Sequence, residues 1–461
     1  MVGRYRKGQK LPRKIQVPAE QIPGVPGFPR QDDGKERPGT IRQILPQPRH
    51  LIFPAPIVLD MKPARPAHTA VRKAVVPPFF PARPSRADTF TESVIREMTR
   101  LSLRHNAINL AQGFPDFPCP AELKTAACTA VNEDYNQYAI TWGAKDLRTE
   151  LAKRVKHYNG MDYDPETEIT VTCGSTEAMM VSMLAVIQPG DEVIVPEPFY
   201  ENYGPDTRIS GAVPRYIHLE NDFSINEEAW KAAFTRKSRA IIINTPNNPT
   251  GKVFSKKELR FIADLCIDHN MVAITDEIYE HILYDGKKHV SIGALDGMRD
   301  RTITIGSFSK TYSVTGWRVG YTLAGQEITA RIRKIHDFLT VGAPAPLQQA
   351  CVAALRLPES YYRELAQDYD RKRKILYNGL RTAGFSCELP EGAYYIFTDI
   401  AESGMSDVDF ARHLVETAGV AAVPGSSFYH EGGETKLRFT FSKKDETLHE
   451  ACRRLKKTGL R

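Results

Sequence analysis

Short apolar runs rich in β-branched residues recur through the middle of the chain, and they constrain the fold more than any other feature. Helical or turn-like stretches separate the runs, and a helix is predicted over 177–187 after the first one. Strands spaced by helices indicate an α/β fold, with a mostly parallel sheet covered by helices on both faces. The predicted strands are 169–172, 192–195, 240–243, 272–275 and 302–305. Because ligands collect at the carboxyl ends of parallel strands, functional residues are expected in the loops that follow these runs.

The first 87 residues differ from the rest of the 461-residue chain in composition and charge. They contain 16 of the 32 prolines, and 17 Lys and Arg against 5 Asp and Glu, a surplus of 12 positive charges. Since the whole chain carries +7, residues 88–461 carry −5. This proline density leaves few windows for a helix, so we expect a disordered, basic extension ahead of a globular body. The mildly acidic body argues against a specific nucleic-acid partner.

The cysteines indicate a reducing compartment. Seven are scattered along the chain without a C-x-x-C pair, which argues against a disulfide framework and against a zinc site. No run of about 18 apolar residues occurs, so no membrane span is expected. A cytoplasmic location without a bound metal is the prediction that follows.

The loop after the strand at 302–305 carries the most specific candidate for chemistry. It reads Ser-Phe-Ser-Lys-Thr-Tyr-Ser-Val-Thr-Gly-Trp-Arg from Ser307 to Arg318. A lysine, whose pKa is ordinarily about 10.4, becomes a nucleophile for carbonyl groups when burial or a nearby cation lowers that pKa. Arg318 can bind a phosphate in bidentate fashion, and Ser307 and Ser309 offer hydroxyl donors. Taken alone, Lys310 is more simply explained as a solvated surface lysine, because most lysines are exposed.

Polar motifs also follow three of the other predicted strands. Asp276-Glu-Ile-Tyr279 provides a carboxylate for a protonated pyridine nitrogen and a tyrosine for a phenolic oxygen. The loop 244–251, Asn-Thr-Pro-Asn-Asn-Pro-Thr-Gly, is rigid and polar. The segment 173–177, Cys-Gly-Ser-Thr-Glu, opens a helix whose N-terminus can bind phosphate. Each motif alone is better explained as an ordinary turn or helix cap.

Together the four motifs resemble those of the class I and II aminotransferases of pyridoxal phosphate (PLP) fold type I. The resemblance runs from about residue 90 to the C-terminus, and S-x-S-K with Thr-Gly-Trp-Arg, N-x-x-x-N-P-T-G and D-E-x-Y occur in the family's order and approximate spacing. It implies that Lys310 forms the Schiff base with PLP and is the catalytic residue. The other cofactor contacts that the resemblance implies are Ser175, Thr176, Tyr200, Asn248, Asp276, Tyr279, Ser307, Ser309 and Arg318.

The resemblance also implies a substrate pocket and a partner subunit. Arg438, in the alternating run 436–441, matches the family's clamp for the substrate α-carboxylate, and Gly113 and Asn248 line the same pocket. Tyr138 resembles a tyrosine that reaches the phosphate of the neighbouring subunit, which implies a homodimer. The implied domains are an arm over 88–130, a large PLP-binding domain over 131–345, and a smaller C-terminal domain over 346–461, with the smaller α+β unit drawn from both chain ends.

The expected activity is transfer of an amino group from an L-amino acid to a 2-oxo acid, with 2-oxoglutarate as the expected acceptor and a ping-pong mechanism. Thr176 stands where some aspartate-using relatives carry a lysine, and 341–344 consists of small residues, so a neutral or aromatic donor is favoured. A cysteine-conjugate β-lyase on the same fold is an open alternative. A PLP-binding transcription regulator and a non-catalytic binding protein are less favoured, because the extension is too proline-rich for a recognition helix and no catalytic position is substituted.

Overall fold

The computed structural model describes residues 85–457, so nearly all of the predicted extension over 1–87 lies outside the described residues. In that range the α-helices, in chain order, are α1 Val94–Arg104, α2 Ala121–Asn132, α3 Lys145–Asn159, α4 Gly174–Val186, α5 Tyr203–Ile209, α6 Glu227–Ala233, α7 Lys256–Asp268, α8 Phe308–Thr311, α9 Gln326–Leu339, α10 Ala345–Leu355, α11 Glu359–Thr382, α12 Asp407–His413 and α13 Asp445–Leu455. The strands are β1 Ile108–Asn109, β2 Ile169–Thr172, β3 Glu192–Glu197, β4 Val213–His218, β5 Ser238–Asn244, β6 Val272–Asp276, β7 Thr302–Ser307, β8 Gly320–Leu323, β9 Ser386–Cys387, β10 Tyr395–Asp399, β11 Val420–Ala421, β12 Val423–Pro424 and β13 Lys436–Thr440.

Seven strands form the central sheet in the order β2-β8-β7-β6-β5-β3-β4. Strand β8 runs antiparallel to β2 and β7, whereas the other neighbouring pairs are parallel. The predicted mostly parallel sheet is therefore confirmed, and each of the five predicted strands is present. Strands β4 and β8 were not predicted. β4 is a largely exposed edge strand that contains a proline, and β8 has only four residues and follows a loop instead of a helix.

Alternating side chains of the central strands bury both faces of the sheet. Val193 and Val195 of β3 and Ile242 of β5 pack in one core with α4 and α9. Ile194 and Ile241 point to the opposite face and pack with α6 and α7. Successive side chains of a strand alternate between faces, so apolar runs of this kind require helices on both sides. The structure therefore has the predicted layers, a sheet with helices on both faces.

Helix α4 begins at Gly174, three residues before the predicted start at residue 177. Gly174 has a φ of +79°, a left-handed conformation that glycine adopts without steric cost. The Glu177 carboxylate accepts a hydrogen bond of 2.5 Å from the Cys173 backbone N–H, which caps the helix terminus. The sequence prediction started the helix too late because Gly-Ser-Thr is typical of a turn. Because α4 begins at Gly174, Ser175 and Thr176 lie in its first turn.

A second, antiparallel sheet of order β12-β13-β10-β9 packs with α1, α11 and α13 around a separate core. Residues from both ends of the body meet there, since β1 pairs in parallel with β11. The predicted domain limit at residue 130 falls within the last turn of α2, and the limit at 345 coincides with the first residue of α10. Within residues 85–457, no helix has both the length and the apolar character needed to cross a membrane.

Candidate active site

A cleft of about 840 Å³ lies at the carboxyl ends of the central strands and is closed on one side by the second sheet. It brings together most of the residues predicted from the sequence, although they come from strands far apart in the chain. The predicted site residues that line it are Gly113, Ser175, Thr176, Tyr200, Asn248, Asp276, Tyr279, Ser309, Lys310, Arg318 and Arg438. Ser307 and Tyr138 are not among the lining residues, although the Ser307 hydroxyl lies 2.9 Å from that of Ser309.

Lys310 projects into the cleft from the short helix α8, directly after β7. Its Nζ donates a hydrogen bond of 3.2 Å to the Gly113 carbonyl. Burial, together with the positive charges of Arg438 and Arg318, lowers the pKa of Lys310 to about 8, against the opposing effect of Asp276. A lysine with such a pKa is neutral part of the time near pH 8, as a nucleophile or general base requires.

Asp276 ends β6 and is buried at the bottom of the cleft. Its Oδ2 accepts a hydrogen bond of 2.8 Å from the Tyr203 hydroxyl, and its Oδ1 accepts a long one of 3.4 Å from the Ile278 N–H. Burial raises the pKa of Asp276 to about 6, since these two bonds and the Lys310 charge offset only part of the desolvation. A buried carboxylate with so few donors is suited to a cationic or N–H-bearing partner.

Two asparagines connect Asp276 to the loop after β5. The Asn244 side chain donates to the Asp276 carbonyl at 2.9 Å, and its oxygen accepts from the Asn248 N–H at 2.7 Å. This fixes the loop so that the Asn248 side chain faces the cleft, where its oxygen accepts from Arg438 at 2.7 Å. The predicted rigid loop thus serves to position one amide.

Arg438 lies on β13 with 1% of its surface exposed. Its Nη2 donates to the Ala111 carbonyl at 2.6 Å, and its guanidinium carbon lies 4.3 Å from the Tyr395 ring centre. The buried Nε–H has no hydrogen-bond partner within the described residues. A buried guanidinium with unused donor capacity is suited to an anionic ligand, and a carboxylate matches its planar geometry.

The opposite end of the cleft has the features of an anion site. The N-terminus of α4 presents the N–H groups of Ser175 and Thr176, and Arg318 lies beside them with its Nη2 3.5 Å from the Thr176 hydroxyl. A Cβ at position 174 would lie 2.4 Å from Arg318 Nη2, so only glycine permits this approach. Unpaired N–H groups at a helix N-terminus and a guanidinium together favour a phosphate.

The structure gives Ser307 and Tyr138 other surroundings. The Ser307 hydroxyl accepts from the Ser309 N–H at 3.1 Å and donates to the Val319 carbonyl at 3.2 Å, so it organises the loop that carries Lys310. The Tyr138 side chain is 86% exposed on a single subunit. Sequence reasoning missed Tyr203, the donor to Asp276. Helical spacing from Tyr200 could not have indicated it, because α5 begins at Tyr203 itself.

The chain is similar to known proteins over most of its length. Residues 105–455 match the family model described as Aminotransferase class I and II. A probable N-succinyldiaminopimelate aminotransferase of Mycobacterium tuberculosis is 38% identical over 385 residues, which cover 80% of this chain and 97% of that protein. An aspartate aminotransferase of Pyrococcus abyssi is 36% identical over 384 residues, with 82% and 98% covered. The solved structure of a methionine aminotransferase of Escherichia coli has a TM-score of 0.79 at 34% identity, with 82% and 100% covered.

Proposed function

The chain belongs to the class I and II aminotransferases, enzymes that use PLP, and we propose that it passes the amino group of an L-amino acid to 2-oxoglutarate in two half-reactions. One observation carries this proposal: Lys310 and Arg438 bond to two carbonyls of the same short segment, Gly113 and Ala111. A reactive amine and a carboxylate-binding guanidinium are thereby held two residues apart along one backbone. Any molecule with an α-carboxylate and an α-amino or α-oxo group can bridge them, so donor and acceptor would use this site in turn.

The residues of the cleft fit PLP at three points. Asp276, buried and short of donors, suits a protonated ring nitrogen. The N-terminus of α4 with Arg318 suits the phosphate. The lowered pKa of Lys310 suits bond formation with a carbonyl carbon. From the resemblance to the family we assign the phenolic oxygen to Asn248 and Tyr279 and ring stacking to Tyr200, and all three residues line the cleft.

Three side chains have separate roles in the proposed mechanism. When bound, PLP supplies an electron-accepting ring next to the substrate Cα. Arg438 holds the α-carboxylate and so turns the Cα–H bond towards Lys310. The Lys310 Nζ removes the Cα proton as general base and later returns a proton as general acid. Asp276 keeps the proton on the ring nitrogen, and this charge is needed most as the Cα–H bond breaks.

A screen of amino donors at fixed 2-oxoglutarate, measured by glutamate formation, tests the proposed function. We expect glutamate to form faster with neutral or aromatic donors than with aspartate, because Thr176 offers no cation to a second carboxylate of the donor. The proteins similar to this chain differ in the substrate that their names give, so similarity alone does not select the donor. The absence of glutamate with every donor would contradict 2-oxoglutarate as the acceptor.

A 2-oxoglutarate acceptor needs a second cation for its distal carboxylate. Four basic side chains line the cleft among the described residues, and Lys310, Arg318 and Arg438 have roles already. The fourth, Arg96, lies in the first turn of α1 with its side chain exposed at the cleft. We assign the distal carboxylate to Arg96 on this ground.

The Arg96→Met variant should therefore raise KM for 2-oxoglutarate about tenfold and leave KM for phenylpyruvate, which has no distal carboxylate, within about twofold. The matched control is Arg104→Met, because Arg104 is exposed at the other end of the same helix, about 12 Å away along its axis. Steady-state kinetics with each acceptor at a saturating donor gives both constants. An equal change for the two acceptors would contradict the assignment of Arg96.

We further propose a homodimer that joins two copies beside the cleft. Tyr138 and Phe338 are 86% and 91% exposed, and Ile140, Leu339 and Val341 are also exposed. The two segments are adjacent, since His336 Nε2 lies 2.7 Å from the Thr141 carbonyl. An apolar patch of this kind on a folded subunit is typical of a protein interface.

If this patch is the dimer interface, Phe338→Asp should convert a dimer into a monomer, because a charge would replace a buried ring at the interface. Sedimentation velocity at micromolar concentration measures the mass. Leu103→Asp is the control, since Leu103 is also highly exposed but lies on α1 outside the patch. A wild-type monomer, or a Phe338→Asp dimer as stable as the wild type, would refute the proposed interface.

A further inference from the structure

Lys443 is a buried cation that the proposed reaction does not use. Only 3% of it is exposed, and its Nζ donates to the Phe114 carbonyl at 2.8 Å and to the Gln112 carbonyl at 3.5 Å. The Nζ also lies 4.1 Å from the centre of the Phe114 ring. Burying an ammonium group is unfavourable unless hydrogen bonds or an opposite charge compensate for the lost water, so the position of Lys443 requires an explanation.

The carbonyls of the segment 111–114 alternate between two sets of donors. Ala111 and Gly113 accept from Arg438 and Lys310, at 2.6 Å and 3.2 Å. Gln112 and Phe114, the residues next to each of these, accept from Lys443, and the Gln112 carbonyl also accepts from the Phe114 N–H at 2.9 Å. Lys443 and the two active-site cations therefore bond to the carbonyls of the same four residues.

Other bonds fix the ends of this segment and support the Gly113 carbonyl in its middle. At one end, the Asn109 side chain accepts from the Ala111 and Gln112 N–H groups, each at 3.0 Å. At the other end, the Asp116 carboxylate accepts from the Lys444 N–H at 2.5 Å and from the Thr447 hydroxyl at 2.8 Å. The Gly113 carbonyl also accepts from the Tyr394 hydroxyl at 2.8 Å.

We propose that Lys443 is a positioning residue, which sets the orientation of the Ala111 and Gly113 carbonyls and so the spacing between the Arg438 clamp and the Lys310 amine. The inference rests on the proposed function only in the roles given to Arg438 and Lys310. The peptide units that carry the Gln112 and Phe114 carbonyls flank the unit that carries the Gly113 carbonyl, so bonds to both of them restrict how far the Gly113 carbonyl can turn. Lys443 opposes that rotation without touching the substrate.

Lys443→Met is the test, since methionine keeps the length and apolar stem but removes the donors. We expect KM for donor and acceptor to rise about tenfold, with kcat per PLP-loaded subunit within about threefold of the wild type. Hydrogen–deuterium exchange of peptides covering 108–117 should increase in the same variant, with or without substrate present. Lys443→Arg keeps a cationic donor, so it should restore most of the KM and the slow exchange.

Lys444→Met is the matched control, because Lys444 is the next residue and its side chain is exposed. It should change neither KM nor exchange. A loss of kcat with unchanged KM, or unchanged exchange at 108–117, would overturn the positioning role and leave a purely structural one. If Lys443→Met does not fold, Lys443→Gln provides the same comparison with Lys443→Arg. The exchange experiment needs no turnover, so it can fail or succeed independently of the donor screen that tests the proposed function.

Discussion

Lys310→Ala is expected to lower turnover by up to about ten-thousandfold, the largest effect predicted for this chain. The substitution removes the amine that would bond to PLP and the group that would move the Cα proton. No other amine among the described residues that line the cleft can replace it, because the other three basic side chains are arginines, which do not deprotonate. PLP should still bind through the anion site at α4 and Arg318, with the absorption spectrum of the free aldehyde in place of the lysine-bound form.

Two measurements separate this result from simple misfolding. Lys334→Ala, at an exposed position on α9, should keep wild-type rates and spectrum. Added methylamine should partly restore the half-reaction of Lys310→Ala, because a small amine can enter the space left by the side chain and move the proton. A variant that retains wild-type half-reaction rates would show that another residue is the base.

Much of the fold could be predicted from the sequence because short apolar runs indicate buried strands directly. Ile241 and Ile242 are neighbours in one run, and burial of both on opposite faces requires a covered sheet. The predicted site residues at strand ends could be found for a related reason, since parallel strands bring their carboxyl ends to one edge. Strand β4 carried no such signal, because its edge position leaves alternate residues exposed.

Several hydrogen bonds of the site could not be predicted from the sequence. Lys443 bonds to the Phe114 carbonyl across 329 residues of sequence, and every residue type has a carbonyl, so the sequence gives no indication of the partner. Tyr203 pairs with Asp276 across 73 residues, on a helix of only seven residues with little periodicity to detect. The Ser307 hydroxyl bonds to the Ser309 N–H and to the Val319 carbonyl within its own loop, and the sequence did not indicate these contacts.

For Arg438, the sequence predicted the strand but not the surroundings of the side chain. Its alternating run predicted a strand, which the structure has as β13, but an arginine on an alternating strand is ordinarily solvent-facing. Its side chain is instead fully buried because Asn248 and Ala111 accept two of its N–H groups. Three of its five N–H groups remain, and the one at Nε has no hydrogen-bond partner within the part of the chain that the structure describes.

Arg438→Met should raise KM for donor and acceptor alike, because both present an α-carboxylate to this guanidinium. A charge-assisted hydrogen bond contributes about 1.5–3 kcal/mol, which corresponds to a roughly ten- to hundredfold rise for each. The substitution also leaves the Asn248 and Ala111 oxygens without a donor, so a measurable fall in melting temperature should accompany it. Steady-state kinetics with both co-substrates and a thermal melt of the PLP-loaded protein measure the two effects.

Arg438→Lys distinguishes the role of Arg438 in substrate binding from its contribution to the stability of the fold. Lysine keeps the positive charge but cannot satisfy Asn248, Ala111 and a carboxylate in one plane, so it should recover part of the melting temperature and little of the KM. The comparison with Lys443→Met is also informative, because both variants should raise KM while only Arg438→Met removes a direct contact to the substrate. The rise should therefore be larger in Arg438→Met. If KM for only one co-substrate increases, the two α-carboxylates do not share this clamp, and the single-site proposal for the two half-reactions is wrong.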